Sequence, residues 1–193
     1  MAVPSPPSKP LLRSEALERR RSYAGSLAAE TRAGLEAKLA QIVLPHLLGA
    51  RIVAGYHPMK AEISPYPILD LLEPGQVAAL PWFGGRDARM TFRAAPAVEA
   101  GPWGVLQPAA DSLPLAPDVV LVPLVLADRR GNRIGHGKGH YDRALAHLRE
   151  GGAAVRTIGI GWEFQIVDDV MTADPWDIPL DAIATPGEWI PCR

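Results

Sequence analysis

The first fifty residues alternate apolar and charged positions with the period of a helix. The segment "LLRSEALERRRSYAG", residues 11–25, predicts a first helix that Gly25 ends. Leucine or valine then recurs at multiples of four from Leu27 to Leu47, which predicts an apolar stripe along a second helix. Ser26 is a candidate cap for this second helix, and Pro45 predicts that it kinks or finishes near that position.

After residue 50 the pattern changes to apolar strands separated by short helices. The strand candidates are "RIVAGYH" (51–57), "QVAALPW" (76–82), "MTFRA" (90–94), "DVVLVPLVLAD" (118–128), "VRTIGIGW" (155–162) and "LDAIATP" (180–186), and the helix candidates are "PYPILDLLEPG" (65–75) and "YDRALAHLRE" (141–150). The run at 118–128 is the strongest strand, because parallel sheets bury such continuous apolar runs on both faces. Alternating strands and helices predict an α/β fold, with a mainly parallel sheet flanked by helices and an N-terminal helical segment.

Composition favours one globular domain over residues 1–193, with residues 1–8 as a flexible Pro/Ser leader. Hydrophobic residues make up 48% of the chain and charged residues 21%, which is typical of soluble proteins. The start, "MAVPSPPSKP", lacks a secretory signal and no apolar run is long enough for a bilayer, so we expect a cytoplasmic protein without a membrane partner. A single cysteine, Cys192, excludes an intramolecular disulfide and a cysteine-based metal cluster.

The formal net charge of −1 hides an uneven distribution of charge. Residues 1–60 hold nine Lys and Arg against four Asp and Glu, residues 128–150 hold six against three, and residues 161–193 hold one against seven. If folding brings these segments together, they form a site for a polyanion and its divalent cation; otherwise the charges only cover solvated surfaces. Nucleic acid is not an expected partner, because the whole chain is not basic and no recognised binding module is present.

The segment "RIGHGKGHYDRAL", residues 133–145, holds the most informative motif. Each of its three alternating glycines, Gly135, Gly137 and Gly139, costs about 0.5–1 kcal/mol relative to alanine in regular structure. A tight turn with positive φ explains one or two of them. A loop whose bare N–H groups bind phosphate at the start of a helix explains all three, although the spacing matches neither common nucleotide fingerprint.

Charged residues beside these glycines fit the phosphate-binding interpretation. Lys138 and Arg133 supply cations, and Asp142 either binds Mg²⁺ together with phosphate oxygens or only stabilises the start of the helix. His136 and His140 form a pair two residues apart, but no further ligand lies at a suitable spacing, so zinc is not expected.

The same residues resemble the R-[LI]-G-x-G-x-G-x-Y-D-R signature of the 5-formyltetrahydrofolate cyclo-ligase family. Further segments resemble other motifs of that family: "KPLLR" (9–13), "YHPMKAE" (56–62), "WGVLQP" (103–108), "VPLVLADRRGNRIG" (122–135), "WEFQIVDDV" (162–170) and "WDIPLDAIAT" (176–185). The resemblance therefore covers nearly the whole chain. The chain departs at His140, where the family usually has Tyr, at Ala127 for Phe and at Trp176 for His. We expect the first change to alter stacking on the substrate and the other two to alter packing.

The resemblance implies ATP- and Mg²⁺-dependent conversion of 5-formyltetrahydrofolate to 5,10-methenyltetrahydrofolate, with release of ADP and phosphate through a phosphorylated formyl (iminium phosphate) intermediate. It also implies a monomer with a sheet like the sugar-isomerase/CoA-transferase type of α/β fold, and a folate substrate with or without additional glutamates. The implied residues are Lys9, Arg13, Arg133, Gly135, Gly137, Lys138, Gly139 and Tyr141 for ATP; His57, Glu62, His136, Gly137, Lys138, Gly139 and His140 for folate; Asp142 and Asp177 for Mg²⁺; and Lys138 and Arg143 for catalysis. His57 is equally well interpreted as a structural or exposed histidine.

Two other functions stay open at this point. One is a folate or nucleotide sensor, or an RNA-associated relative, that keeps the fold without turnover; metal carboxylates at Asp142 and Asp177 count against it. The other is an isomerase of phosphorylated sugars on the same fold, which the glycine loop disfavours because it has no obvious carboxylate base. Trp82, Trp103 and Trp162 are each candidates to line a pterin pocket or to belong to the core.

Overall fold

The computed structural model describes residues 8–192, in which helices and strands alternate. The α-helices are α1 (Lys9–Ser26), α2 (Ala29–Val43), α3 (Tyr66–Leu69) and α4 (His140–Glu150), and 3₁₀ turns lie at Leu44–Leu47, Pro102–Gly104 and Glu163–Gln165. The strands are β1 (Ile52–Ala54), β2 (Val77–Trp82), β3 (Thr91–Ala94), β4 (Glu99–Ala100), β5 (Leu106–Gln107), β6 (Pro114–Leu115), β7 (Val119–Pro123), β8 (Leu126–Asp128), β9 (Arg133–Ile134), β10 (Arg156–Ile160), β11 (Ile166–Val167), β12 (Ala182–Ala184) and β13 (Trp189–Pro191). The predicted leader lies outside the described residues except for Ser8. Among residues 8–192, no helix is both long and apolar enough to cross a membrane.

An eight-stranded sheet forms the centre of the molecule, in the order β13-β12-β10-β7-β1-β2-β3-β6. The strands from β12 to β2 run parallel, whereas β13 at one edge and β3 and β6 at the other pair antiparallel. Two smaller sheets, β11-β8-β9 and β4-β5, lie outside it. The predicted α/β fold with a mainly parallel sheet is confirmed, while the likeness to the sugar-isomerase/CoA-transferase type stays a prediction.

Hydrophobic clusters cover both faces of this sheet. Side chains alternate between the faces along each strand, so neighbours on β7 belong to different clusters. Leu121 packs in one cluster with Leu39 of α2, and Val122 packs in the other with Leu145 of α4. The molecule therefore has three layers, with the sheet between the N-terminal helices and α4.

The strand predicted over residues 118–128 is wrong in its extent, because the structure divides it into β7 and β8. Pro123 has no N–H to donate, and the chain leaves the large sheet after the Leu124 N–H reaches the Ile160 carbonyl at 3.1 Å. β8 then pairs with β9 and β11 in the smaller sheet. Both halves are mostly buried, so an apolar run alone gave no sign of the division.

The N-terminal helices differ from prediction at one cap. Ser26 is the last residue of α1, where its hydroxyl donates to the Tyr23 carbonyl at 2.8 Å, and the residue preceding α2 is Ala28, which makes no side-chain cap. The prediction that Ser26 caps the second helix is therefore wrong. The end of α2 at Val43, just before Pro45, is as predicted.

A turn at residues 128–132 fixes the acidic C-terminal segment against the sheet. The buried Asp128 carboxylate accepts hydrogen bonds from the N–H groups of Arg130 and Asn132 and, at 2.8 Å, from that of Met171. Gly131, with φ +90°, accepts a further bond from the Leu180 N–H at 2.9 Å. The ends of the segment from residue 171 to 180 are thus both tied to one turn.

We predict that Gly131→Ala lowers the free energy of unfolding by more than the cost of an L-residue at positive φ. The conformation costs about 1–2 kcal/mol for an L-residue, and here an added Cβ would also lie 2.5 Å from the Leu180 carbonyl oxygen. Gly49→Ala is the matched control, because Gly49 has φ +81° with open space around it. Urea unfolding should show a clearly larger loss for Gly131→Ala, and equal losses would contradict the close approach.

Candidate active site

A cavity of about 850 Å³ opens at the carboxyl ends of the parallel strands β1, β2 and β7. Tyr56 and His57 follow β1, Phe83 follows β2, and Val122 and Pro123 end β7, and all of them line it. Ligands of open α/β sheets usually bind at this edge. Every site residue implied by the sequence also lines the cavity: Lys9, Arg13, His57, Glu62, Arg133, Gly135, His136, Gly137, Lys138, Gly139, His140, Tyr141, Asp142, Arg143 and Asp177. The structure therefore brings these residues together, while their individual roles stay predictions.

The glycine loop passes from β9 directly into α4. Gly137 and Gly139 have φ values of +81° and +61°, whereas Gly135 does not need the left-handed region. Gly139 precedes the first residue of α4 and offers no side chain to cap it. The first three N–H groups of α4, from His140 to Asp142, find no acceptor within residues 8–192. Such open N–H groups at a helix N-terminus form a binding site for an anion.

Cations from two directions surround this loop. Arg13 of α1 donates its Nε to the Gly135 carbonyl at 2.7 Å, and a Cβ at Gly137 would lie 3.2 Å from its guanidinium carbon. Arg143 donates to the Lys138 carbonyl at 2.8 Å. The Lys138 ammonium forms no hydrogen bond or ion pair in the part of the chain that the structure describes. The loop thus has an excess of positive charge available to a ligand.

Arg133 connects the glycine loop to the acidic segment. Its guanidinium lies 2.5 Å from Asp142 Oδ1 and also donates to the Ile178 carbonyl. The Ile178 N–H donates to the same Asp142 oxygen at 3.3 Å. Asp142 Oδ2 accepts no hydrogen bond from residues 8–192.

Lys9 connects the first helix to the same acidic segment. Its ammonium lies 2.6 Å from Asp174 Oδ2 and 2.9 Å from Asp177 Oδ2. Burial alone would raise the pKa of Asp177, but the Asp174 N–H and the Lys9 ammonium outweigh it and hold that pKa below its usual value. Pro10 lies in the first turn of α1, where its missing N–H costs no hydrogen bond, and so the helix begins early enough to bring Lys9 here.

The acidic end of the cavity fits a magnesium ion that arrives with a ligand. Asp142 and Asp177 each commit one oxygen to a cation and leave the other, Oδ2 and Oδ1 respectively, without a hydrogen bond among residues 8–192. No group of three or more His, Cys, Asp or Glu side chains forms a metal cluster in the described part of the chain. Mg²⁺ commonly takes one or two carboxylates and completes its shell with phosphate oxygens and water.

A buried ion pair that includes Glu62 lies beside the glycine loop in the same cavity. Glu62 is only 4% exposed, and its Oε1 lies 3.4 Å from both Arg20 Nη1 and His136 Nε2. Its other oxygen accepts the Met59 N–H at 2.9 Å. Arg20 also donates to the Leu124 carbonyl at 2.9 Å. The carboxylate is thus fixed in position and aimed at the cavity by Arg20.

Arg20 is a buried charged residue beside the site that was not expected from the sequence. It follows Arg13 by seven residues, so the two lie on one side of α1, and this spacing was the available signal. Arg19 and Arg21 on either side are exposed. A run of three arginines therefore looked like a solvated surface, although its middle member is buried.

Three aromatic rings in mutual contact line the cavity. Phe83 meets Trp103 at a centroid distance of 5.2 Å and His140 at 5.0 Å, and Trp103 meets His140 at 5.2 Å. Trp103 has φ +68°, which is rare for a bulky side chain. The Gln107 side chain fixes Phe83 by bonding both its N–H and its carbonyl. Burial and the Arg143 cation lower the pKa of His140, which favours its neutral imidazole.

The other aromatic candidates divide between site and core. Trp103 lines the cavity, whereas Trp162 is fully buried in the core and donates to the Ala61 carbonyl at 3.0 Å. Trp176 is 71% exposed at the cavity rim, so the expectation that it only changes packing is wrong. Burial and nearby Glu62 raise the pKa of Tyr141, which keeps its hydroxyl protonated as a hydrogen-bond donor.

Comparison with known proteins connects this chain with one protein family. Residues 5–186 match the model of the 5-formyltetrahydrofolate cyclo-ligase family. The chain is 30% identical over 198 residues to a 5-formyltetrahydrofolate cyclo-ligase of Mycolicibacterium smegmatis, and the match covers 96% of this chain and 97% of that protein. A second relative of that name, from Escherichia coli, is 39% identical over 83 residues, which is 41% of this chain and 44% of the relative.

Two solved structures with a similar fold are named as 5,10-methenyltetrahydrofolate synthetases. The 5,10-methenyltetrahydrofolate synthetase of Aquifex aeolicus superposes with a TM-score of 0.79 at 27% identity, covering 96% of this chain and 93% of the other. The synthetase of Mycoplasma pneumoniae gives 0.70 at 26% identity, with 93% and 99% covered.

We predict that Arg20→Met destabilises the protein strongly, whereas Arg21→Met does not. Removing one partner of a buried ion pair costs about 3–5 kcal/mol, because the other charge is left unpaired, and exposed substitutions usually change stability by less than about 0.5 kcal/mol. Urea unfolding measures both variants. If unpaired Glu62 is the cause, adding Glu62→Gln to Arg20→Met recovers part of the loss; equal stability of the two single variants would contradict the pairing.

Proposed function

This chain belongs to the 5-formyltetrahydrofolate cyclo-ligase family, and from that premise we propose that it converts 5-formyltetrahydrofolate to 5,10-methenyltetrahydrofolate with ATP and Mg²⁺, releasing ADP and phosphate. One observation carries the proposal: a single cavity is lined both by a cation-rich glycine loop and by a buried carboxylate, Glu62. In this proposal the enzyme acts as a cytoplasmic monomer.

ATP binds at the glycine loop in this proposal. The open N–H groups at the start of α4 face its phosphates, and Gly135, Gly137 and Gly139 let the phosphates approach the backbone. The Lys138 ammonium and the Arg13 guanidinium offer charge-assisted hydrogen bonds to phosphate oxygens. Arg133 and Lys9 extend this positive wall, and Tyr141 below the loop keeps a hydroxyl available as a donor.

Asp142 and Asp177 would hold Mg²⁺ through the oxygens that they leave free. When bound, the ion neutralises charge that develops on the transferred phosphoryl group. Arg133 and Lys9 contact these two carboxylates through the other oxygens, Asp142 Oδ1 and Asp177 Oδ2, and hold them in position.

Folate binds with its pterin ring at the buried end of the cavity. A pterin presents two adjacent N–H donors, from its 2-amino group and its ring nitrogen, and these match the two oxygens of one carboxylate. Glu62 is the buried carboxylate there, and its contact with Arg20 orients it. His57, hydrogen-bonded to the Tyr66 hydroxyl at 2.9 Å, and His136 complete this end.

The chemistry depends on positioning more than on a base. The formyl oxygen attacks the γ-phosphorus of ATP, the bond to ADP breaks, and a phosphorylated iminium forms at N5. N10 then attacks the iminium carbon and loses its proton, and phosphate leaves as the ring closes. Lys138 and Arg143 lie where negative charge accumulates during phosphoryl transfer, which makes them the proposed catalytic residues.

The absorbance of methenyltetrahydrofolate tests this proposal directly. We expect product only when 5-formyltetrahydrofolate, ATP and Mg²⁺ are all present. Binding of folate or nucleotide without any turnover would instead favour the sensor function, and turnover without ATP would contradict the phosphorylated intermediate.

We predict that Lys138→Ala and Asp142→Asn each reduce kcat by about 100-fold or more, the usual effect of removing one group that stabilises transition-state charge. Lys38→Ala and Asp169→Asn are matched controls, since both residues are exposed and line neither end of the cavity. Thermal unfolding of each variant shows whether the fold is retained. Turnover close to wild type in a folded Lys138→Ala or Asp142→Asn protein would contradict the assigned roles.

A further inference from the structure

The segment that carries Glu62 has no regular secondary structure to hold its shape. Residues 55–65 connect β1 to α3 without helix or strand. Inside this segment the Glu62 N–H donates to the Met59 carbonyl at 2.8 Å, and the Met59 N–H donates to Glu62 Oε2 at 2.9 Å. The direction of the Glu62 carboxylate therefore depends on the backbone of residues 59–64, which are named here the Glu62 turn.

Side chains from outside the Glu62 turn bond the backbone of five consecutive residues within it. In the order of residues 60 to 64, with distances between 2.6 and 3.0 Å, the partners are Arg32, Trp162, Arg32 again, Tyr56 and Glu36. The first four donate to backbone carbonyls, and the last accepts a backbone N–H. The surroundings of the turn, rather than its own ladder of hydrogen bonds, thus determine its conformation.

Arg32 of α2 supplies two of these five bonds and supports a third. Its Nη1 donates to the Lys60 carbonyl at 2.9 Å, and its Nη2 donates to the Glu62 carbonyl at 2.6 Å. Its Nε donates to Glu36 Oε1 at 3.0 Å, and the same oxygen accepts the Ser64 N–H at 3.0 Å. The planar guanidinium therefore fixes three acceptors at once, a geometry that the single ammonium of a lysine does not reproduce.

Arg32 does not reach the space in which a ligand would bind. Glu62 lines the cavity, whereas Arg32 does not, and all three guanidinium nitrogens of Arg32 have acceptors within the protein. Arg20, by contrast, contacts the Glu62 carboxylate itself. Arg32 therefore acts on a ligand only through the position of the Glu62 turn.

We propose that Arg32 is a positioning residue for folate, because it holds the Glu62 turn in the conformation that presents the Glu62 carboxylate to the pterin. This role rests on the function proposed above. Without Arg32 the carbonyls of Lys60 and Glu62 lose their donors, and the turn moves to reach other partners or water. Glu62 bonds the pterin equally in the bound substrate and in the transition state, so the movement weakens binding without slowing the chemical step.

Steady-state kinetics of Arg32→Met, with 5-formyltetrahydrofolate and ATP varied in turn, test this role. We expect the KM for folate to rise about tenfold, which corresponds to the loss of one hydrogen bond with a charged partner. We expect kcat and the KM for ATP to stay within about twofold of the wild type, as for a loss of uniform binding. Arg32→Lys should give an intermediate KM for folate, because lysine keeps the charge but bonds fewer of the three acceptors.

Two controls and a second readout separate positioning from a loss of stability. Lys38→Met removes an exposed cation from the same helix, and Gly49→Ala strains the backbone outside the turn, at φ +81°. Both controls should keep the wild-type KM for folate. Hydrogen exchange without any ligand should be faster at the Glu62 and Ser64 amides of Arg32→Met, whereas exchange of the β7 amides should stay unchanged.

The outcomes separate the role of Arg32 from the proposed function. An unchanged KM for folate in folded Arg32→Met, or in Arg32→Lys where the methionine variant does not fold, would overturn the positioning role. A similar rise of the KM for ATP, or unchanged exchange in the turn, would overturn it too, and turnover by the wild type would still support the function. Absence of turnover by the wild type would overturn the proposed function, and with it the role of Arg32 toward folate.

Discussion

The site depends on opposite charges from distant parts of the chain meeting at one end of the cavity. Lys9 of the first helix contacts Asp174 and Asp177 near the C-terminus, and Arg133 before the glycine loop contacts Asp142 of α4. The Lys9 ammonium and its two carboxylates are partly exposed, so solvent screens this contact and its contribution to stability is small. Its main effect is geometric: it places the first helix over the glycine loop, where Arg13 reaches Gly135.

The pair between Arg20 and Glu62 is of a different kind. Both side chains are almost fully buried, and the Arg20 Nε has no hydrogen-bond partner among the described residues. Water is therefore largely excluded from this pair. The contacts of Lys9 with Asp174 and Asp177 are partly exposed, so an incoming charged ligand competes with them. The buried pair is thus rigid, whereas a ligand can displace the exposed contacts. This combination suits a site that must hold one ring in place and admit a charged ligand beside it.

The sequence predicted best those elements that depend only on residues close by in the chain. The alternation of apolar residues gave α4, β10 and the glycine loop between β9 and α4, because periodicity and glycine spacing need no distant partner. The division of residues 118–128 depends on where the chain leaves the sheet at Pro123, and no apolar pattern encodes that. The burial of Arg20 was equally hidden, since only the packing of α1 against the cavity decides which arginine of a run turns inward. The left-handed backbone at Trp103 had no sequence signal beyond the glycines around it.

Positive and negative charges lie in different parts of the cavity, as the proposed chemistry requires. At the acidic end three carboxylates, Asp142, Asp174 and Asp177, meet only two cations, Lys9 and Arg133, which leaves an excess of negative charge that favours a divalent ion. At the loop, Arg13, Lys138 and Arg143 bond only neutral groups or nothing among residues 8–192, which leaves an excess of positive charge that favours phosphate oxygens. In the proposed reaction, phosphate oxygens would face the loop and the divalent ion would face the acidic carboxylates, so this distribution of charge would favour one orientation of the nucleotide before any bond changes.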